Sequence, residues 1–260
     1  MFSPKPRFAA PASLREALAL TYQHKRDVRW FAGAAELIAV DYSRVPSNAY
    51  IIDARGIPEF TQISVDSSVR LGAFLPRSVL EGNPALAQIA ALRTTSWSLA
   101  ELCALDARVI LISEGQLREV ELLKLCAGAA LTGVAPYELP LHIVFGLPGP
   151  HAALIERRRA TKDGAASFEQ RVVVSLALAA GGKTAHVRII AHLLGLQLVR
   201  VRAAESCLQH VTPSKELAAE AAREAAKLFV ATDKHTSAAL RSLSPMVLAA
   251  LNAAIDRAKR

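Results

Sequence analysis

Few residues in this 260-residue chain have the type and spacing that chemistry demands. Gly181-Gly182-Lys183-Thr184 has the tail of a phosphate-binding loop, but position 177 is Ala177 where that motif needs glycine. The segment also sits between two alternating runs rather than between a strand and a helix, so a hairpin turn is expected. His186 and His192 lie six apart on a strand and its exit, with no further ligands nearby to complete a metal site. Cys103, Cys126 and Cys207 are far apart and odd in number, which fits reduced thiols in a cytoplasmic protein better than disulfides. No serine stands in a G-x-S-x-G elbow, and no local Cys/His pair is evident. Asp53 and Glu59 could form a carboxylate pair, but capping of a strand end and a turn explains both. No side-chain catalytic site is expected.

Arg157-Arg158-Arg159 is the densest basic cluster. Two readings of it stand level: a face toward a phosphate or a partner subunit, and a solvated strand edge. The net charge of +8 favours anionic partners. The basic residues are scattered and no aromatics interleave with them, so nucleic acid is not expected as a partner.

The elements that must carry these residues follow from composition and pattern. Hydrophobic residues make up 52% of the chain and charged ones 21%, enough for a large core and too apolar for disorder. No leader segment is evident, because prolines and charges interrupt the N-terminal region, and no apolar run approaches a membrane span. A soluble protein is expected. Ser13 followed by Glu16 predicts a capped helix beginning at Leu14. A short strand at 29–31 runs into the small-residue loop Ala32-Gly33-Ala34-Ala35, and a helix is expected from Glu36. A strand at 50–53, a turn at 57–60 and a hairpin across Asp66-Ser67-Ser68 follow. A helix is expected over 80–92, then a hairpin across Glu114-Gly115 and a strand at 139–145. The cluster Gly146-Leu147-Pro148-Gly149-Pro150 is the best domain boundary. Beyond it, 171–179 and 185–191 form a hairpin with one buried face, and 217–229 and 244–258 are amphipathic helices, the first capped by Ser214.

This order of elements, with its residues, resembles the flavin-binding (medium) subunit of the molybdenum hydroxylases, the family of carbon monoxide dehydrogenase and xanthine dehydrogenase. The resemblance rests on the stretch from Pro11 to Leu18, on Ala32-Gly33-Ala34-Ala35-Glu36-Leu37, and on Asp53 with Ile57-Pro58-Glu59-Phe60. It continues through Arg70-Leu71-Gly72-Ala73, Pro84-Ala85-Leu86, Ala104-Leu105-Asp106-Ala107 and the run from Leu131 to Leu139. Near the C-terminus Asp233, Ser237, Ala238 and Arg241 match, while His235 and Leu240 replace an arginine and a tyrosine. The resemblance implies an α+β fold. Residues 1–150 would form a region like the FAD-binding domain, with subdomains of about 1–57 and 58–150, and 151–260 would form the C-terminal domain of the flavoprotein subunit.

The resemblance also implies FAD, gripped at its pyrophosphate by two glycine-rich loops whose backbone N–H groups face the phosphates. The first corresponds to Ala32, Gly33, Ala34, Ala35, Glu36 and Leu37, where a glycine, a threonine and an aspartate of the family have become Ala34, Ala35 and Glu36. The second, a threonine-isoleucine-glycine-glycine-asparagine turn, is missing. The chain passes from Arg93 through Thr94-Thr95-Ser96-Trp97-Ser98 directly to Leu99. Trp97 would fill part of a vacated site or simply pack at a helix start. The expectation is therefore a structural subunit with lost or weakened FAD binding and no metal of its own. Its partners would be a molybdopterin-containing large subunit and an iron–sulfur small subunit. The alternatives are a working FAD subunit that passes electrons from iron–sulfur centres to an external acceptor, and an assembly or adaptor protein on the same fold.

Overall fold

The computed structural model describes residues 7–31, 49–93, 95–126, 133–163, 166–192, 198–227 and 234–260. The fold is α+β. The chain divides into two compact units, one of residues 1–83 and 107–147, the other of 84–106 and 148–260.

The first unit opens with β1 (Arg7–Ala9), α1 (Leu14–His24), β2 (Val28–Phe31) and β3 (Tyr50–Asp53). The three strands form a parallel sheet in the order β1-β3-β2. Ser13 caps α1 by accepting from the Glu16 amide, and the Glu16 carboxylate accepts in turn from the Ala12 amide at 3.0 Å. The unit's second sheet holds β4 (Ile63–Val65), β5 (Ser68–Gly72), β6 (Arg108–Ser113), β7 (Gln116–Glu121) and β8 (Leu139–Gly146), ordered β4-β5-β8-β6-β7 and antiparallel throughout. Glu114 and Gly115 turn the β6–β7 hairpin with both φ angles positive, as a tight two-residue turn matching strand twist requires.

Two of the sequence motifs touch physically in this unit. Phe60, from the turn after Ile57, packs edge-on against Phe74, and Trp30 stacks on Phe74 from β2. Gly72 lies directly beneath that turn. A Cβ at position 72 would stand 2.2 Å from the Phe60 carbonyl oxygen, so only glycine lets the strand pass. The Gly72 amide donates to Gln62 O at 2.8 Å and the Phe74 amide to Phe60 O at 3.2 Å, which locks the approach.

The second unit is built on a four-stranded antiparallel sheet in the order β12-β11-β10-β9. Its strands are β9 (Ala152–Asp163), β10 (Ala166–Leu178), β11 (Thr184–His192) and β12 (Val199–Arg200). One face is covered by α8 (Lys234–Ala258), with α7 (Lys215–Lys227) packed against α8; Ala218, Ala221, Ala222, Ala250 and Ala254 share one core with Val172, Val174 and Ile189. The other face carries α4 (Leu99–Ala104) across β9, β10 and β11.

Several sequence expectations are corrected. The helix expected over 80–92 is broken into α2 (Arg77–Glu81), α3 (Pro84–Gln88) and a 3-10 turn at Ala90–Leu92. Pro84 supplies no amide and disfavours helical backbone at Asn83, so the run cannot continue. The 171–191 hairpin is not one-faced: Val172, Val173 and Val174 are all buried, because α4 covers the face that periodicity left to solvent. α8 starts well before Ser244 and runs through Pro245. The buried stripe Leu243, Met246 and Val247 is continuous across the proline, so packing holds the helix where local propensity would end it. Residues 84–106 group by contact with 148–260.

The Gly72 contact gives a direct expectation. Gly72→Ala lowers folding stability by ~1–3 kcal/mol through overpacking against backbone, measured by urea denaturation. Gly146→Ala, where an added Cβ meets nothing within 4 Å, stays within ~0.5 kcal/mol of the parent.

Candidate functional site

The loop Ala32, Gly33, Ala34, Ala35, Glu36 and Leu37 lies outside the described residues, as does Asp233. The stretch at 95–98 is described, and its polar groups converge on one side chain. Glu101 is 1% exposed, on the first turn of α4. Its Oε1 accepts from the Ser96 amide at 3.0 Å. Its Oε2 accepts from the Ser98 amide at 3.0 Å, from Ser96 Oγ at 2.8 Å and from Ser98 Oγ at 3.3 Å. The Glu101 amide donates back to Ser98 Oγ, completing a capping box.

Two amides two residues apart can meet one carboxylate only if the chain curls between them. Trp97 supplies the curl at φ +54, a left-handed conformation unusual for a bulky residue. Its side chain is 3% exposed, a core tryptophan packed just before the helix start.

A second layer of charge surrounds this turn. Arg158 donates to Ser96 Oγ at 2.6 Å and, through Nε, to Glu156 Oε2 at 2.7 Å. Arg171 lies 3.7 Å from the other oxygen of Glu156. Strand register explains the grouping: Arg158 pairs with Arg171, and Glu156 with Val173, on the sheet face that α4 covers. Of the basic triplet, Arg158 is thus engaged internally, Arg157 donates to the Glu156 carbonyl and Arg159 is exposed. Further along, buried Arg188 forms an ion pair with Asp106. Buried Glu205 accepts from the Ile189 amide at 2.9 Å and from the Arg200 guanidinium.

These donors do not fit a bound phosphate. Both amides and both hydroxyls of the turn already hold a carboxylate, and Glu156 adds a second negative charge beside Ser96. An incoming dianion would meet like charge where a phosphate cradle offers free N–H groups.

The other candidates resolve as local structure. Ala179 N donates to Lys183 O at 2.8 Å and Gly182 has φ +74, so Gly181-Gly182-Lys183 is the β10–β11 turn. His186 and His192 are separated by ~20 Å of strand and share no metal position. Among the described residues no group of three His, Cys, Asp or Glu could hold a metal ion. Asp53 accepts from the Arg55 amide and guanidinium at the end of β3; that hydrogen bond holds its carboxyl below the ordinary value. Glu59 instead acts on His142. Burial, and then the charge of Arg70, push the His142 imidazole below its usual pKa, with Glu59 opposing.

Solved structures give the context. The chain superposes on one from carbon monoxide dehydrogenase of Hydrogenophaga pseudoflava, lacking the Mo-pyranopterin moiety of the molybdenum cofactor. The TM-score is 0.82 at 23% identity, covering 99% of each chain. The fold is that of this dehydrogenase chain. Quinoline 2-oxidoreductase from Pseudomonas putida 86 matches over 100% of both chains with a TM-score of 0.78 at 20% identity. Reconstituted CO dehydrogenase from Oligotropha carboxidovorans matches with a TM-score of 0.79 at 22% identity, over 100% of this chain and 99% of that one. No protein-family model matches the sequence, and no curated protein does. Among the described residues no helix is long and apolar enough to cross a membrane.

The dehydrogenase-type fold places Glu101 where sequence reasoning did not look. The readable signal was Ser98 followed three residues later by Glu101; nothing in the sequence showed that Ser96 would join them.

His142 carries a pH expectation. Its Nδ1 is buried with no hydrogen-bond partner among the described residues. Its folded pKa lies below the unfolded value, so the unfolded chain binds the extra proton first. Stability from this group is full above the ordinary imidazole pKa and is lost as pH falls through the lowered folded one. Subtracting the urea-denaturation pH profile of His142→Gln from that of the parent leaves a difference that declines on the acid side.

Proposed function

We propose that this chain is a medium-subunit homologue within a molybdenum hydroxylase complex, acting as a structural subunit whose FAD binding is lost or strongly weakened. End-to-end superposition on dehydrogenase and oxidoreductase chains supports the subunit class. So does the ordered series of sequence motifs, in which Gly72 and the 57–60 turn interlock. The partners under this reading are a molybdopterin-containing large subunit and an iron–sulfur small subunit.

The observation that carries the loss of flavin is the filled turn at 95–98, where the Glu101 carboxylate takes the donors a phosphate would need. Substitution of the first loop by Ala34, Ala35 and Glu36 points the same way: the lost hydroxyl alone removes an interaction of ~1 kcal/mol. The chain's own residues then supply docking surface and rigidity, and no electron-transfer step is assigned to it.

Purification of the complex through a tag on this chain tests the reading. The expected result is co-purification of a molybdopterin subunit and an iron–sulfur subunit, with acid extraction yielding far less than one flavin per copy of this chain. Stoichiometric FAD in the extract would make it a working flavin subunit. A tagged chain that brings down neither partner would end the subunit assignment.

A further inference from the structure

We infer that Glu101 is a built-in anion for the 95–98 turn, and that it excludes phosphate from the backbone donors there. The inference deepens the reading above and rests on it for the identity of the excluded ligand; the geometry stands by itself.

A carboxylate oxygen and a phosphate oxygen call for the same partners, N–H and O–H groups converging on a concave backbone. In this turn the partners are the Ser96 and Ser98 amides and the two serine hydroxyls, and all four point at Glu101. The left-handed Trp97 is what aligns the two amides. A strained backbone at a residue 3% exposed persists only where its surroundings over-determine it, and the carboxylate provides that constraint.

Competition favours the resident group. Glu101 is joined to the turn by only a few residues, so its carboxylate acts as an intramolecular ligand at high effective concentration. A free phosphate must displace it, and the displaced carboxylate would lose all four of these donors while staying in a dry site. Glu156 stands beside Ser96 and would repel the incoming charge, and Arg158 is already bound to Glu156 and Ser96. The turn is therefore closed to anions by its own sequence, whatever occupies other parts of the chain.

Amide hydrogen exchange resolved to single residues, on the full chain, tests this with inorganic pyrophosphate as the probe. Without added anion, the Ser96 and Ser98 amides should be protected. In Glu101→Ala both should exchange roughly tenfold faster or more, with β10 and β11 unchanged. Millimolar pyrophosphate should leave both rates unaltered in the parent chain. Equal rates in the parent and in Glu101→Ala would overturn the inference, as would pyrophosphate slowing either amide in the parent. If Glu101→Ala does not fold, Glu101→Gln replaces one acceptor oxygen with a donor. At least one of the two amides should then be deprotected, and unchanged rates at both count against the inference. FAD found in the complex while these exchange results hold would sink only the structural-subunit reading. Pyrophosphate protection of the parent turn would sink the built-in anion, whether or not the complex carries flavin.

Discussion

A carboxylate removed from water must find donors for both oxygens, and in the second unit that requirement organises a whole face of the sheet. Glu101 sits on a helix of only six residues, too short to be stable alone. Four donors from Ser96 and Ser98 satisfy it, and Ser96 is tied through Arg158 to β9. The short helix is therefore held on the sheet by polar contacts as well as by Ala100, Leu102 and Cys103. Asp106, just beyond the helix, reverses the arrangement: the carboxylate is exposed and pairs with a buried guanidinium, that of Arg188. Such a pair is weak evidence for net stability but evidence for one particular arrangement, since the buried guanidinium alone would be left uncompensated.

The opposite face of the same sheet follows a different rule. Alanines on α7 and α8 share one core with valine and isoleucine side chains of the sheet, and the contact is largely apolar, with the buried Ser242 hydroxyl donating to Gln170. One sheet thus has an aliphatic side that supplies hydrophobic burial and a charged side that fixes orientation. Glu205 serves the aliphatic side in a smaller way, joining α6 (Arg202–Ser206) to β11 and Arg200.

The structural likeness to dehydrogenase and oxidoreductase chains is a likeness of fold at 20–23% identity. Such a scaffold can outlast a ligand site because the two draw on different residues. Core positions such as Phe60, Gly72 and Phe74 are constrained by packing. A turn that grips phosphate is constrained only by its ligand.

Much of the local structure was legible in the residues. Ser13 with Glu16, the Glu114-Gly115 turn and the Gly181-Gly182 turn each depend on neighbours within a few positions, so sequence carries the whole of their physics. The likeness of fold to the dehydrogenase and oxidoreductase chains was readable for the same reason, as a series of short motifs in order. What lay beyond reach depends on elements distant in the chain. The burial of Val173 required α4, the internal role of Arg158 required Ser96 sixty-two residues away, and the passage of α8 through Pro245 required the sheet beneath it. Sequence by itself determined which segments turn, cap and alternate. Only the tertiary structure decided which charges would pair and which of them would be covered, because burial is a property of what lies on top, and that is supplied by other parts of the chain.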